Sequence, residues 1–345
     1  MAKKIFMIGA GRSASSLIQY LVNEADSNDF EITVGDRDLS LVVDKIGDNP
    51  RAKAINFDVF NDSQRIEEIQ KSDIVISMLP ASLHFKVAQD CVKYGKNLVT
   101  ASYVSDEIKS LDVEAREKGV LLLNEIGLDP GIDHMSAMKV IDDIKAKGGE
   151  LISFKSYCGG LVAPEFDTNP WKYKFTWNPR NVVLAGQGTA QYIQDGDLKY
   201  IPYGQLFKRT AALSVLEYGE FEAYANRDSL SYREIYKLAN IPTLLRGTLR
   251  RPGYGEAWDL FIQLGMTDDS FKMDVTGMTY NEFFVSFMDK TDLSVAAYLK
   301  ATFNTSASVF SKIEWLGFFN EQQIGLEMAS PAEVLQKLLE VKWLL

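Results

Sequence analysis

The first chemical signal is a glycine turn near the N-terminus. Gly9-Ala10-Gly11-Arg12-Ser13-Ala14 follows the apolar run Lys4–Ile8 and opens a helical stripe over Ser13–Asn23. Gly9 suits a tight turn, Gly11 lets the backbone approach a pyrophosphate, and Ala14 allows close helix–strand packing. The free N–H groups and positive dipole end of that helix favour an anion. Asp36, in Val34-Gly35-Asp36-Arg37-Asp38, closes the second apolar run. A carboxylate there accepts hydrogen bonds from ribose hydroxyls and repels a 2′-phosphate. Arg37 pulls the other way, by stacking on adenine or pairing with that phosphate. Both also read as plain turn residues. The second signal is arginine: Arg227 in Asn226-Arg227-Asp228-Ser229, and Arg246, Arg250 and Arg251 in Arg246-Gly-Thr-Leu-Arg-Arg251. Guanidinium grips carboxylate as a fork, so arginine beside glycine and hydroxyls suggests a carboxylate clamp. A solvated face is the alternative.

Six apolar runs must position the turn: Lys4–Ile8, Glu31–Val34, Ala52–Val59, Asp73–Leu79, Asn97–Ala101 and Val120–Ile126. Helical patterns over 62–71, 82–94 and 105–118 lie between later runs. Continuous apolar strands joined by crossover helices predict a Rossmann-type, doubly wound parallel sheet. Ligands of such sheets bind past the carboxyl ends of the strands. Those ends are Asp58-Val59, Met78-Leu79-Pro80, Thr100-Ala-Ser102-Tyr103 and Asn124–Gly131. Asp129, before Pro130 and Gly131, reads equally as a cap for a helix over 132–147 and as a substrate ligand. That helix carries Ile132, Met135, Met138, Ile141 and Ile144 as a core stripe. His84 and His134, near helix starts, read first as polar helix-end residues.

After Gly148-Gly149 the pattern changes. Leu151–Tyr157 reads as a strand, and aromatics follow at alternate positions, Trp171, Tyr173, Phe175 and Trp177. They suggest one face of an edge strand, or an apolar wall beside a nicotinamide ring. The fold expectation is an α/β chain: a dinucleotide-binding domain over 1–130 and an α+β substrate-binding domain over 131–345.

Composition narrows the rest. The 345 residues are 46% hydrophobic and 24% charged, an ordinary globular balance. A net charge of −10 disfavours nucleic acid and anionic membrane as partners. Two cysteines fit a reducing, cytoplasmic setting. With only two histidines as well, no metal site is expected.

Several longer segments are more specific than any of these. Ser77–His84, Val99–Ser105, Asn124–His134, Ser156–Gly160, Ala163–Glu165, Tyr173–Trp177, Asn226–Ser229 and Arg246–Arg250 resemble, in order, the saccharopine reductase family. These are the glutamate-forming saccharopine dehydrogenases of the aminoadipate route of lysine metabolism. The resemblance runs from about residue 5 to the C-terminus. It implies hydride transfer between a nicotinamide cofactor and the imine joining glutamate to aminoadipate semialdehyde. It implies a small amino-acid substrate held by Ser102, Tyr103, Asp129, Arg227, Thr248, Leu249 and Arg250. The cofactor would be held by Gly9, Ala10, Gly11, Arg12 and Ser13, the second strand end, Asp58, Val59, Met78, Leu79, Ser102, Leu128, Asp129, Pro130 and Trp177. Tyr103 and Asp129 are the candidates for proton transfer, ahead of His134 and Cys158. A homodimer is compatible with the family.

Two departures stand out. The family implies NADP, whereas Asp36 stands where fungal members carry a small uncharged residue and leans toward NAD. Family members also continue past Leu345, so the substrate domain is expected to be incomplete at its C-terminal end. A carboxynorspermidine-type dehydrogenase, taking a diamine, and a non-catalytic nucleotide sensor are the competing readings.

Overall fold

A computed structural model describes residues 2–185 and 187–344. They form two compact units, 1–140 and 141–345.

In the first unit β1 (Lys3–Ile8), α1 (Ser15–Glu24), β2 (Phe30–Asp36), α2 (Leu39–Ile46), β3 (Ala52–Asn56), α3 (Asp62–Lys71), β4 (Ile74–Ser77), α4 (His84–Lys93), β5 (Asn97–Thr100), α5 (Asp106–Ser110), α6 (Asp112–Glu117) and β6 (Leu122–Leu123) alternate. The six strands are parallel in the order β3-β2-β1-β4-β5-β6, the expected doubly wound sheet. Successive residues of β1 explain its unbroken apolar run. Phe6 and Ile8 pack with Ile69, Val87 and Cys91 of α3 and α4. Met7 packs with Ile18, Val22 and Val42 of α1 and α2 on the other face. Local caps set the helix starts. The Asp38 side chain accepts from the Ser40 and Leu41 amides at α2, and Ser105 from Ile108 at α5. The sixth strand shrinks to two residues, and the helix expected over 105–118 breaks at Leu111.

α7 (Ile132–Ala146) runs across residue 140. Its expected core stripe is a correction: Ile132 and Met135 are exposed, and of that row only Ile141 is fully buried.

The second unit is α+β. Its strands are β7 (Ser153–Cys158), β8 (Ala190–Gln194), β9 (Asp197–Ile201), β10 (Ala211–Ser214), β11 (Glu220–Ala225) and β12 (Thr243–Arg250). The order is β10-β11-β12-β8-β9, with β7 parallel to β12. Short α8 (Pro179–Val183) and α9 (Tyr232–Ile235) interrupt the strands. Then follow α10 (Tyr254–Leu264), β13 (Met273–Asp274), α11 (Tyr280–Val285), α12 (Val295–Phe303), α13 (Ala307–Leu316), β14 (Met328–Ala329) and α14 (Pro331–Lys342). Ser330 and Glu333 cap α14 reciprocally.

The alternating aromatics Trp171, Tyr173 and Phe175 do not lie on a strand. Their segment is irregular, and the Asn169 side chain satisfies both the Trp171 N–H and the Tyr173 carbonyl. The Phe175 N–H donates to the Trp343 carbonyl. All three rings are fully buried with Tyr254, Trp258, Phe261 and Trp343, and each has Trp343 as its nearest ring, at centroid distances of 5.1–5.4 Å. They are the core of this unit, and Trp177 alone of the four is exposed.

Candidate functional site

Gly9 leaves β1 with φ +101°, and a Cβ there would lie 2.9 Å from the Met78 carbonyl oxygen. Only glycine fits this turn. Gly9 N–H donates to Gly35 O, and Met78 N–H to Ile8 O, so the turn sits where β1 separates β2 from β4. Gly11 is different: nothing lies within 4 Å of the Cβ position it lacks. A short 3₁₀ turn over Arg12–Ala14 leads into α1, with Ala14 buried against it. The open space over Gly11, facing a helix N-terminus, fits a dinucleotide pyrophosphate.

Two side chains brace the turn. Asp36 accepts the Ala10 N–H at 2.7 Å and, on its other oxygen, the Asp38 N–H at 3.0 Å. Lys45 Nζ donates to the Ala10 and Gly11 carbonyls at 2.6 and 2.9 Å. Burial lowers the Lys45 pKa below its ordinary value, and the Asp36 carboxylate opposes this. Lys45 was not legible as a site residue, because it lies 34 and 35 positions from its partners on a helix with an apolar pattern.

The remaining residues of the first unit divide by environment. Arg37 pairs with Asp58 at 3.2 Å and covers Phe60. The Phe60 N–H and Arg37 both hold the Asp58 carboxyl below its ordinary range. Val59 is buried, and its carbonyl takes the Arg65 guanidinium, which also bonds Asp90 at 2.7 Å. Leu79 packs partly into the same core. The loop Gly127–Gly131 folds back on itself, and a side chain at Gly131 would strike Gly127. Pro130 is buried after a cis peptide, while Leu128 is exposed.

Tyr103 and Asp129 meet. The Tyr103 hydroxyl donates to Asp129 Oδ1 at 2.9 Å, and the ring is 48% exposed. The first α7 amides, of Ile132, Asp133 and His134, donate to the carbonyls of Gly127, Leu128 and Gly131, so the backbone does the capping suggested for Asp129. His84 and Ser102 also meet. His84 is buried, with Nδ1 2.9 Å from Ser77 Oγ and Nε2 2.7 Å from Ser102 Oγ.

Burial pushes the His84 pKa down to about 4. Well above pH 6.5 neither folded nor unfolded chain protonates it. Between about 6.5 and 4 the unfolded chain takes up a proton that the folded one refuses, so stability falls. Between pH 7 and 4.5 this costs about 2–3 kcal/mol. Urea unfolding at the two pH values should show that increment in wild type and not in His84→Gln. An equal pH slope in both would remove it.

In the second unit, Thr248 Oγ1 donates to Asn226 Oδ1 at 2.6 Å across the β11–β12 pair. Arg227, two residues past β11, is exposed, and its carbonyl takes the Gln191 N–H. Arg250 stands opposite Glu222 on the ladder. Arg227 thus lies beyond one end of the paired β11–β12 ribbon and Arg250 near the other. Arg250 is only 4% exposed, with the rings of Tyr173, Tyr254 and Tyr224 at 4.8, 5.2 and 5.8 Å. Its Nη1 donates to the Leu249 carbonyl, and its buried Nε has no hydrogen-bond partner among the described residues. The Glu222 carboxylate is turned to the Gly253 and Gly255 amides. Arg246 is buried over Tyr232, and Arg251 covers Phe221. Trp177 lies beside Gly160.

Residues 5–123 match the family model described as the saccharopine dehydrogenase NADP binding domain, and residues 127–345 match the saccharopine dehydrogenase C-terminal domain. The chain belongs to the saccharopine dehydrogenase family. The saccharopine dehydrogenase [NADP(+), L-glutamate-forming] of Saccharomyces cerevisiae is 34% identical over 333 residues, covering 94% of this chain and 74% of its own. A solved structure of the L-Glu-forming enzyme from that yeast superposes with a TM-score of 0.85 at 31% identity, over 100% of this chain and 78% of the other. The mitochondrial alpha-aminoadipic semialdehyde synthase of Bos taurus is 33% identical over 99% of this chain, which spans only 37% of that longer protein. The family's nucleotide domain is an NADP-binding one, so of the two cofactors weighed the family carries NADP. The Asp36 carboxylate, which leans toward NAD by its charge, is held by the Ala10 and Asp38 amides.

Proposed function

We propose that this chain is a glutamate-forming saccharopine dehydrogenase using NADP. A dinucleotide-binding domain over 1–130 and a substrate domain over 131–345 would share the work. Saccharopine, oxidised NADP and water would give glutamate, aminoadipate semialdehyde, reduced NADP and a proton. The cofactor, when bound, accepts the hydride from the carbon joined to the secondary amine. The chain's own residues handle position and protons. Gly9–Ser13, braced by Asp36 and Lys45, offer amides and space for the pyrophosphate. Ser102 and Leu128–Pro130 lie on the same carboxyl rim of the sheet. Arg227, Thr248 and Arg250 supply donors for the three carboxylates of the substrate.

The observation that carries the reading is the Tyr103–Asp129 hydrogen bond, an exposed phenol coupled to a carboxylate at the end of β5. After hydride loss, water must add to the imine and the carbinolamine must collapse. Tyr103 takes or gives the proton at the reacting oxygen or nitrogen, and Asp129 accepts it from the phenol.

The test is a substrate panel in the oxidative direction, followed by reduced-nicotinamide absorbance. Saccharopine should be oxidised with NADP in preference to NAD. Turnover of an N-carboxyalkyl diamine instead would point to the carboxynorspermidine-type reaction. Cofactor binding with no turnover of any substrate would leave a nucleotide sensor.

A further inference from the structure

Four side chains in the first unit form a polar chain, and three of them, Ser77, His84 and Thr100, have no part in the proposed reaction. Ser77 ends β4, His84 begins α4, Thr100 ends β5, and Ser102 follows two residues later. Ser77, His84 and Thr100 are all buried, and Ser102 is partly exposed.

Counting protons assigns the tautomer. The Ser77 hydroxyl has one partner among the described residues, His84 Nδ1 at 2.9 Å. Were Nδ1 protonated, the Ser77 proton would be left buried without an acceptor, which costs free energy. The buried Thr100 hydroxyl pulls the other way, but it reaches Nε2 only at 3.4 Å, so the shorter Ser77 contact decides: Ser77 donates to Nδ1, and the single proton of the neutral ring sits on Nε2. Burial keeps the ring neutral at physiological pH. Nε2–H then points at Ser102 Oγ at 2.7 Å, with Thr100 Oγ1 a longer second acceptor at 3.4 Å. Thr100 Oγ1 also accepts the Ser102 N–H at 3.3 Å. With its oxygen already accepting from the ring, Ser102 cannot send its own proton back to His84. That proton must leave the chain of buried groups.

We propose that His84 is a positioning residue that fixes Ser102 as a hydrogen-bond donor to an acceptor oxygen of the ligand bound at this rim. The ligand rests on the reading above, and the acceptor belongs to either the cofactor or the substrate. Ser77 is the far anchor of the device, so its hydroxyl acts on the ligand through two intervening groups.

The tautomer is read without any substrate, by ¹⁵N NMR of the two histidines, assigned with a His134→Gln variant. The expected result is His84 protonated on Nε2 alone and unchanged from pH 8 to about 5.5, set by its lowered pKa. In Ser77→Ala the Nδ1 signal should lose its hydrogen-bonded shift. Ser102→Ala should weaken one ligand by about 3- to 10-fold. A raised Kd for NADPH places the acceptor on the cofactor, and a raised KM for saccharopine at unchanged Kd places it on the substrate. Ser77→Ala should reproduce part of that loss, and the double variant should lose no more than Ser102→Ala alone. Protonation on Nδ1, multiplicative losses in the double variant, or a Ser102→Ala protein with unchanged Kd and KM would each overturn the proposal. A wild-type protein that binds NADPH but turns over nothing would sink the function, with the tautomer and the NADPH Kd still deciding this inference.

Discussion

Tyr103→Phe should lower kcat by about 10²- to 10⁴-fold, the range for losing a positioned proton-transfer group. The substitution keeps the ring and removes one oxygen. Because the side chain is 48% exposed and the substitution keeps the ring, the fold should hardly notice. Affinity for NADPH should stay near that of wild type. Asp129→Asn should follow it in direction, since an amide cannot take the phenol's proton. The two substitutions act on one hydrogen bond, so combining them should cost little more than the worse of the two. Steady-state kinetics and NADPH titration check all of this. A kcat within a few-fold of wild type in Tyr103→Phe, at about one pH unit either side of neutrality, would remove Tyr103 from the chemistry.

Arg250 gives the second large effect, and it separates function from stability. Its guanidinium is enclosed by three tyrosines and the nearby carboxylate of Glu222 is committed elsewhere. A buried cation without a carboxylate costs desolvation energy that stacking on aromatic faces offsets only in part. Arg250→Met fills the same volume without the charge, so stability should stay within about 1 kcal/mol of wild type. Arg250→Ala opens a cavity among large rings and should cost about 3–5 kcal/mol. If the orphaned Nε awaits a substrate carboxylate, Arg250→Met should raise the KM for saccharopine about 100-fold at unchanged NADPH affinity. Denaturant unfolding and saturation kinetics on the same preparation give both numbers. Large destabilisation of the methionine variant with an ordinary KM would make Arg250 a structural residue.

The nucleotide half was legible because its strands are buried on both faces. Phe6 and Met7 point into different layers, so β1 carries no alternation and reads as one apolar run. The turn residues Gly9, Gly11 and Asp36 were legible by spacing alone. α2 was not read, since Leu39-Ser-Leu-Val-Val43 is short and β-branched, and its helical start depends on the Asp38 cap. The Lys45 brace was hidden for the same reason. Trp171–Phe175 has the period of a strand, but the segment's backbone bonds go to Asn169 and Trp343 instead of a ladder. In the second unit β7 pairs with β12 across about 90 residues, beyond the reach of any local pattern. The resemblance names Tyr103 and Asp129 as candidates, but their hydrogen bond, like the Ser77–His84–Ser102 chain, needs coordinates.

The aromatic core has an optical consequence. All five tryptophans, Trp171, Trp177, Trp258, Trp315 and Trp343, belong to the 141–345 unit. Intrinsic indole emission is therefore blind to melting of the parallel sheet, which far-ultraviolet dichroism still sees. Any gap between the two signals along a denaturant ramp measures how independently the halves come apart.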